Sequence, residues 1–340
     1  MDNIVITGGG TGGHLKVAEA FINELHKRSY SPIYIGSKNG QDKQWFANNR
    51  KIKKAFFLDS ASVVNKDLWG KVKSLYKIMQ LAFHCKDIFE KTKITKVISV
   101  GGYSAAPATF ASIMTSGCQL YIHEQNSIMG KLNQVTSRFA TEVFSSYDPL
   151  SKSKDYPVDI KFFDEARVRR EVKTVIFLGG SQGAKSINNF ALKVAPKLNA
   201  MGIQIIHQTG KEDLQRVSAK YANMKIDVDV FDFTHEIEKK ISKADFAISR
   251  SGASTLWELA ANSLPTLFIP FPYAFEDHQY YNAKVLADNG MAYLKREDEI
   301  TEAFFFECIK SDINKMSKAL IESIKSDSIE TIVDIILNES

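Results

Sequence analysis

Three cysteines in 340 residues, Cys85, Cys118 and Cys308, are too few and too scattered for a disulfide framework or a zinc site. A reducing compartment is the expectation. No apolar run approaches the ~18 residues that a membrane-spanning helix needs. There is no low-complexity tract and no short-period repeat. A leader peptide is not expected either, because Met1-Asp2 runs straight into the strand-like Ile4-Val5-Ile6.

What is present is ordinary globular composition, 44% hydrophobic and 24% charged, at a length that suits two domains. The charge is uneven. Residues 1–157 hold 21 lysines and arginines against 12 acids, whereas residues 158–340 hold 23 against 27. Residues 51–96 alone carry eleven lysines and four acids. A basic half points to an anionic partner, nucleic acid or a lipid surface, unless its lysines are simply solvated.

Short Val/Ile/Phe runs alternate with longer amphipathic ones, which predicts βαβ units and parallel sheets. Strands are expected at 3–7, 31–36, 96–100, 120–123 and 141–145. After a linker at 151–160 the alternation restarts, with strands at 173–178, 204–208, 225–230, 246–249 and 266–269. Two domains of one class follow from that restart. The last helix, about 324–337, has helical apolar spacing.

Each half opens with a strand that ends in glycines: Gly8-Gly9-Gly10-Thr11-Gly12-Gly13 and Gly179-Gly180-Ser181-Gln182-Gly183-Ala184. A third such turn is Gly101-Gly102. Loops of this kind let a ligand approach the backbone at a helix amino end. Gly8, Gly10 and Gly13 also satisfy G-x-G-x-x-G, a weak dinucleotide signal. The acid that would hold a ribose diol after the second strand is missing. That strand ends Ile35-Gly36-Ser37-Lys38, so only a 2′-phosphate on Lys38 keeps a dinucleotide reading open.

The motifs GGGTGGH (8–14), SVGGYSAAP (99–107), HEQN (123–126), GGSQGA (179–184), SRSGASTLWELAANSLPTLFIPFP (249–272) and DHQYYNA (277–283) occur in this order. Together they closely resemble the MurG family of bacterial N-acetylglucosaminyltransferases, over about residues 4–290. The resemblance implies an α/β fold of the GT-B type, two Rossmann-like parallel-sheet domains facing across a cleft. Residues 1–157 would form the acceptor and membrane-side domain, with the C-terminal helix within 324–340 crossing back to it. Residues 158–323 would bind UDP-N-acetylglucosamine (UDP-GlcNAc).

The implied reaction is inverting transfer of GlcNAc from UDP to the 4-hydroxyl of N-acetylmuramic acid in undecaprenyl-pyrophosphoryl-MurNAc-pentapeptide. The resemblance puts Ser181, Gln182, Gly183, Ala253, Ser254, Glu258 and Gln279 on the donor, together with Thr11, Gly12, Gly13 and Asn126. It puts Gly10, Thr11, His14, Gly102 and Tyr103 on the acceptor. His14 and Asn126 are the catalytic candidates, and the general base stays unassigned. A histidine titrating near neutrality can bind a phosphate or take a proton; capping its helix is the plainer role. Glu124 suits a structural or base-orienting part. Asp277 would assist Gln279, and Thr234 would lie by the uracil.

Thr255-x-x-Glu258 also has the spacing of a capping box, an alternative to ribose binding by Glu258. No D-x-D motif lies where a nucleotide-bound Mg²⁺ would sit, so neither metal nor cofactor is expected. No nucleic-acid partner is implied. The expected location is peripheral, on the cytoplasmic face of the bacterial plasma membrane. There the stretch 66–91 would dock on anionic lipid, if its apolar stripe does not pack into the core.

Two positions depart from the family pattern. Asp159 stands where the family carries an arginine near the nucleotide, with Arg167 and Arg169 as candidate replacements. Lys16 stands where proline is frequent. A related glycolipid glycosyltransferase and a UDP-GlcNAc 2-epimerase are the alternative activities.

Overall fold

The computed structural model describes residues 3–10, 12–60, 67–180 and 183–338. Thr11, Ser181, Gln182 and Lys66 therefore lie outside the described residues. The chain divides into two units. Unit 1 is Met1–Pro157 with Asp327–Ser340, and unit 2 is Val158–Ser326.

Unit 1 holds strands β1 (Ile4–Thr7), β2 (Ile33–Ser37), β3 (Lys54–Leu58), β4 (Lys96–Ser99), β5 (Gln119–Glu124) and β6 (Glu142–Ser145). Its helices are α1 (Gly12–Lys27), α2 (Asp42–Phe46), α3 (Leu68–Thr92), α4 (Ala106–Met114) and α5 (Lys131–Thr136). Unit 2 holds β7 (Thr174–Leu178), β8 (Gln204–Gln208), β9 (Asp229–Phe231), β10 (Phe246–Ser249), β11 (Thr266–Phe268) and β12 (Tyr293–Leu294). Its helices are α6 (Ile160–Asp164), α7 (Lys185–Ala200), α8 (Leu214–Met224), α9 (Ile237–Lys243), α10 (Ala253–Ala261), α11 (His278–Asp288), α12 (Glu302–Lys310) and α13 (Ile313–Ser323). The last helix, α14 (Ser328–Leu337), returns to unit 1.

Both sheets are wholly parallel, in the orders β3-β2-β1-β4-β5-β6 and β12-β11-β10-β7-β8-β9. Each is the doubly wound order, with its switch point between the first and fourth strand of the unit. Helices cover both faces, so the central strands read as continuous apolar runs. Val5, Val97 and Ile122 anchor one core, and Val175, Phe177 and Ile248 the other.

Two strands are absent from the sequence pattern: β3, a half-exposed edge, and β12, only two residues long. The strand expected at 225–230 starts late, because Lys225 is the left-handed cap of α8 and pairing begins at Asp229.

Helix α14 buries Ile329, Ile332, Val333 and Ile336. Arg28, directly after α1, pairs with Asp334 and donates to Glu330 O at 3.1 Å. Ser328 Oγ donates to Tyr156 O at 2.9 Å, which ties the returning chain to the end of unit 1.

Candidate functional site

In unit 1 the loops after β1 and β4 flank the switch point and touch. Gly102 has φ +80°, and a Cβ there would stand 2.4 Å from Gly9 O; Gly8 has φ +126° and would meet Gly101 O at 2.5 Å. Only glycine permits this backbone-on-backbone packing. The Tyr103 ring lies over Gly10, where a Cβ would be 2.4 Å from the ring.

Two amides of the first loop are already engaged. Gly9 N donates to Gly101 O at 3.2 Å and Gly10 N to Asp42 Oδ2 at 2.8 Å. Gly10 N is thus held within the loop, and Gly12, Gly13 and His14 follow in the first turn of α1.

His14 sits beside Gly101, whose Cβ position is 3.6 Å from the His14 Nε2 atom. His123, at the end of β5, packs edge-on against Phe21 of α1 and against Tyr156. Burial, then the nearby charge of His14, lowers the His123 pKa to about 3, so its ring is neutral.

Glu124 folds the next loop. It accepts from Asn126 N at 3.0 Å, Gly130 N at 3.0 Å and Asn133 Nδ2 at 2.7 Å. Those bonds hold the backbone that carries Asn126. Thus Gly10, Gly12, Gly13, His14, Gly102, Tyr103 and Asn126 all lie on loops at the carboxyl edge of one sheet, or in the helix turn that follows. Asp42 and Asn133 complete this cluster. Neither belongs to a motif, and the bond that brings Asp42 to the first glycine loop spans 32 residues.

Unit 2 repeats the plan between β7 and β10. Gly183 N closes a turn onto Gly180 O at 3.0 Å, before α7. After β10, Gly252 is the N-cap of α10, and its cap position makes no side-chain bond. Ala253 and Ser254 form the first turn, and Glu258 is 6% exposed one turn after Ser254. Thr255 lies inside the helix rather than at its cap, so the capping-box alternative for Glu258 does not form. Gln279 Oε1 accepts from Phe271 N at 3.0 Å, which leaves its amide N–H groups as donors. Asp277 pairs with Arg296 at 2.6 Å, and Thr234 Oγ1 accepts from Glu236 N at 3.1 Å.

The candidate replacement arginines are elsewhere. Arg167 pairs with Asp245 at 2.7 Å, and Asp245 in turn accepts from Lys173 N and Thr174 N at the start of β7. Arg169 is fully buried; it donates to Ala244 O at 3.2 Å and to Asn262, at the far end of α10. Both therefore stand at the amino edge of the sheet, away from the glycine loop that follows Leu178. Asp159 caps α6, accepting from Lys161 N at 3.1 Å.

Arg250 directly follows β10 and is a cation at the carboxyl edge. It bonds Ile269 O at 3.1 Å, Pro270 O at 2.9 Å, Ser186 Oγ at 2.9 Å and Glu297 Oε2 at 2.5 Å. Its position directly after β10 was the available signal.

Residues 4–145 match the glycosyltransferase family 28 N-terminal domain, and residues 174–336 match the C-terminal domain of the same family. A Campylobacter fetus protein is 48% identical over 337 residues, spanning 99% of this chain and all of its own length. Its name is UDP-N-acetylglucosamine–N-acetylmuramyl-(pentapeptide) pyrophosphoryl-undecaprenol N-acetylglucosamine transferase. The crystal structure of Acinetobacter baumannii MurG superposes with a TM-score of 0.83 at 25% identity, covering 99% of this chain and 100% of the other. A UDP-GlcNAc 2-epimerase from Methanocaldococcus jannaschii reaches 0.65 at 11% identity, covering 99% and 100%, which is likeness of fold alone.

Proposed function

The chain belongs to glycosyltransferase family 28 and, within it, to the MurG family of N-acetylglucosamine transferases, and on that premise we propose that it moves GlcNAc from UDP-GlcNAc to the lipid-linked muramyl pentapeptide. The observation that carries the reading is 48% identity maintained over 99% of the chain. The motif residues on the carboxyl edges of the two sheets support it.

In this reading the 4-hydroxyl oxygen of the muramyl sugar attacks C1 of GlcNAc while UDP leaves from the opposite face. An α-linked donor becomes a β1→4 product, and the hydroxyl proton passes to a base. His14 serves the acceptor side, binding its diphosphate or taking that proton. Asn126 holds sugar hydroxyls. In unit 2, Glu258 accepts from the ribose diol, Gln279 donates to the sugar, and the loop with Ser181, Gln182 and Gly183 receives the diphosphate near the amino end of α7. No metal is assigned a role, and activity should survive EDTA.

The acceptor's lipid tail lies in a bilayer, so the enzyme works as a peripheral protein on the cytoplasmic membrane face. Among the described residues no helix is long and apolar enough to cross a membrane. Helix α3 supplies a face for surface docking.

The test is incubation with UDP-GlcNAc and a short-chain analogue of the lipid-linked muramyl pentapeptide. Disaccharide product and free UDP are expected. Conversion of UDP-GlcNAc to its 2-epimer without acceptor, or transfer only to another glycolipid, would replace this reading. Within the assay, His14→Ala should lower turnover and leave UDP affinity nearly unchanged, whereas Glu258→Ala should weaken UDP binding.

A further inference from the structure

Asp42 is fully buried at the start of α2, under the first glycine loop. Its two oxygens face different parts of the chain. Oδ2 accepts from Gly10 N at 2.8 Å, and Oδ1 accepts from Ser37 N at 2.9 Å. The Tyr34 hydroxyl donates to Gly8 O at 2.8 Å, with Asp42 Oδ1 3.1 Å away. Burial and the neighbouring carboxylate push the Tyr34 pKa up, so this hydroxyl stays a donor.

Glycines crowd the carboxylate. A Cβ on Gly9, Gly36 or Gly40 would come within 2.6–2.8 Å of its oxygens. No lysine or arginine among the described residues is paired with it. A buried carboxylate without a cation is costly, and its charge is offset here only by hydrogen-bond donors. Asparagine would fill the same volume with one acceptor oxygen instead of two. It could serve Gly10 N or Ser37 N, not both. The second oxygen is therefore what joins the β1–α1 loop to the end of β2.

We propose that Asp42 is a positioning residue for the acceptor: it holds the loop Gly8–Gly10 in the shape that presents the start of α1 to the lipid-linked diphosphate. The link continues outward. The Tyr103 ring, from the turn after β4, rests on Gly10, so the segments after β1, β2 and β4 meet around the same carboxylate. This rests on the reading of unit 1 as the acceptor side.

The experiment uses the full chain, with UDP-GlcNAc and the short-chain muramyl acceptor. Asp42→Asn should raise the acceptor KM about tenfold, the equivalent of one lost hydrogen bond, and leave kcat at saturation within about threefold. UDP affinity by calorimetry should not change. Tyr34→Phe, which removes one hydroxyl from the same brace, should raise acceptor KM about threefold. The double variant should be no worse than Asp42→Asn alone, because both act through one loop. Tyr34→Phe carries the test if Asp42→Asn does not fold. An unchanged acceptor KM in the folded variants, or donor and acceptor KM rising together, overturns the proposal alone. A wild-type chain that makes no product overturns the functional reading, and this one with it.

Discussion

His207 lies wholly inside unit 2, with Nδ1 2.9 Å from the Tyr221 hydroxyl and Nε2 3.0 Å from Asn188 Oδ1. Asn188 goes on to donate to Thr209 O at 3.0 Å and to Asp213 at 2.7 Å. Burial lowers the His207 pKa to about 3. An unfolded histidine protonates near 6.5. Between these values only the unfolded chain takes the proton, so stability is lost as pH falls from about 6.5 toward 3 and is regained as pH rises. The slope is about 1.4 kcal/mol per pH unit for each such histidine. Between pH 7 and pH 5 unit 2 should lose about 2 kcal/mol through His207. Urea unfolding of wild type and His207→Gln at both pH values isolates that share, since the other titrating groups are common to both. Equal acid losses in the two proteins would mean that folded His207 accepts the proton after all. A motif reading could not foresee this network. It reaches Thr255-x-x-Glu258 as a spacing, but the position of the helix start decides what the spacing means, and α10 begins at Ala253. Asp42 was hidden for a related reason: its partner Gly10 is 32 residues away.

Helix α3 is apolar on two faces. Ile78, Ala82, Cys85 and Phe89 pack into unit 1. On another face Trp69 is 81% exposed and Tyr76 65%, with Val72, Leu75, Met79 and Phe83 also exposed. These six residues of the expected stripe therefore stay out of the core, and a separate row of residues enters it. Spacing alone could not separate them, because each row repeats with helical period. The strands were legible for the opposite reason, since buried parallel strands have no polar face to confuse the pattern. Lys71 and Lys73 flank the exposed row, and Lys77 pairs with Asp59. An exposed apolar row with aromatics and lysines suits the surface of an anionic bilayer. Each lysine there adds about 1 kcal/mol, and less as salt rises. Replacing Trp69, Lys73 and Lys77 together with alanine should weaken co-sedimentation with anionic vesicles at low salt. Activity on a detergent-soluble acceptor should be spared, because Trp69 and Lys73 are exposed and the Lys77–Asp59 pair lies at the surface. Undiminished vesicle binding by that variant would move the membrane contact off α3.

The chain passes between its two units only twice, after Pro157 and after Ser326. Unit 2 is therefore one uninterrupted segment, whereas unit 1 is closed by a helix from the far end of the chain. The consequences differ. Removing α14 would uncover the apolar face of α1 and forfeit the burial of Ile332, Val333 and Ile336. Cutting out residues 158–326 removes no strand from the second sheet and no residue from its core, which runs from Val175 to Ile313. At 169 residues the segment is within the size at which a single core sustains a domain. It also contains every unit 2 residue assigned to the donor, from Ser181 to Gln279. Expressed alone, residues 158–326 should unfold cooperatively in urea and bind UDP within several-fold of the full chain's affinity, with no transferase activity. Calorimetry on both proteins makes the comparison. A folded segment that does not bind UDP would show that the nucleotide needs groups from unit 1, and Thr11, Gly12, Gly13 and Asn126 would then be the first residues to test.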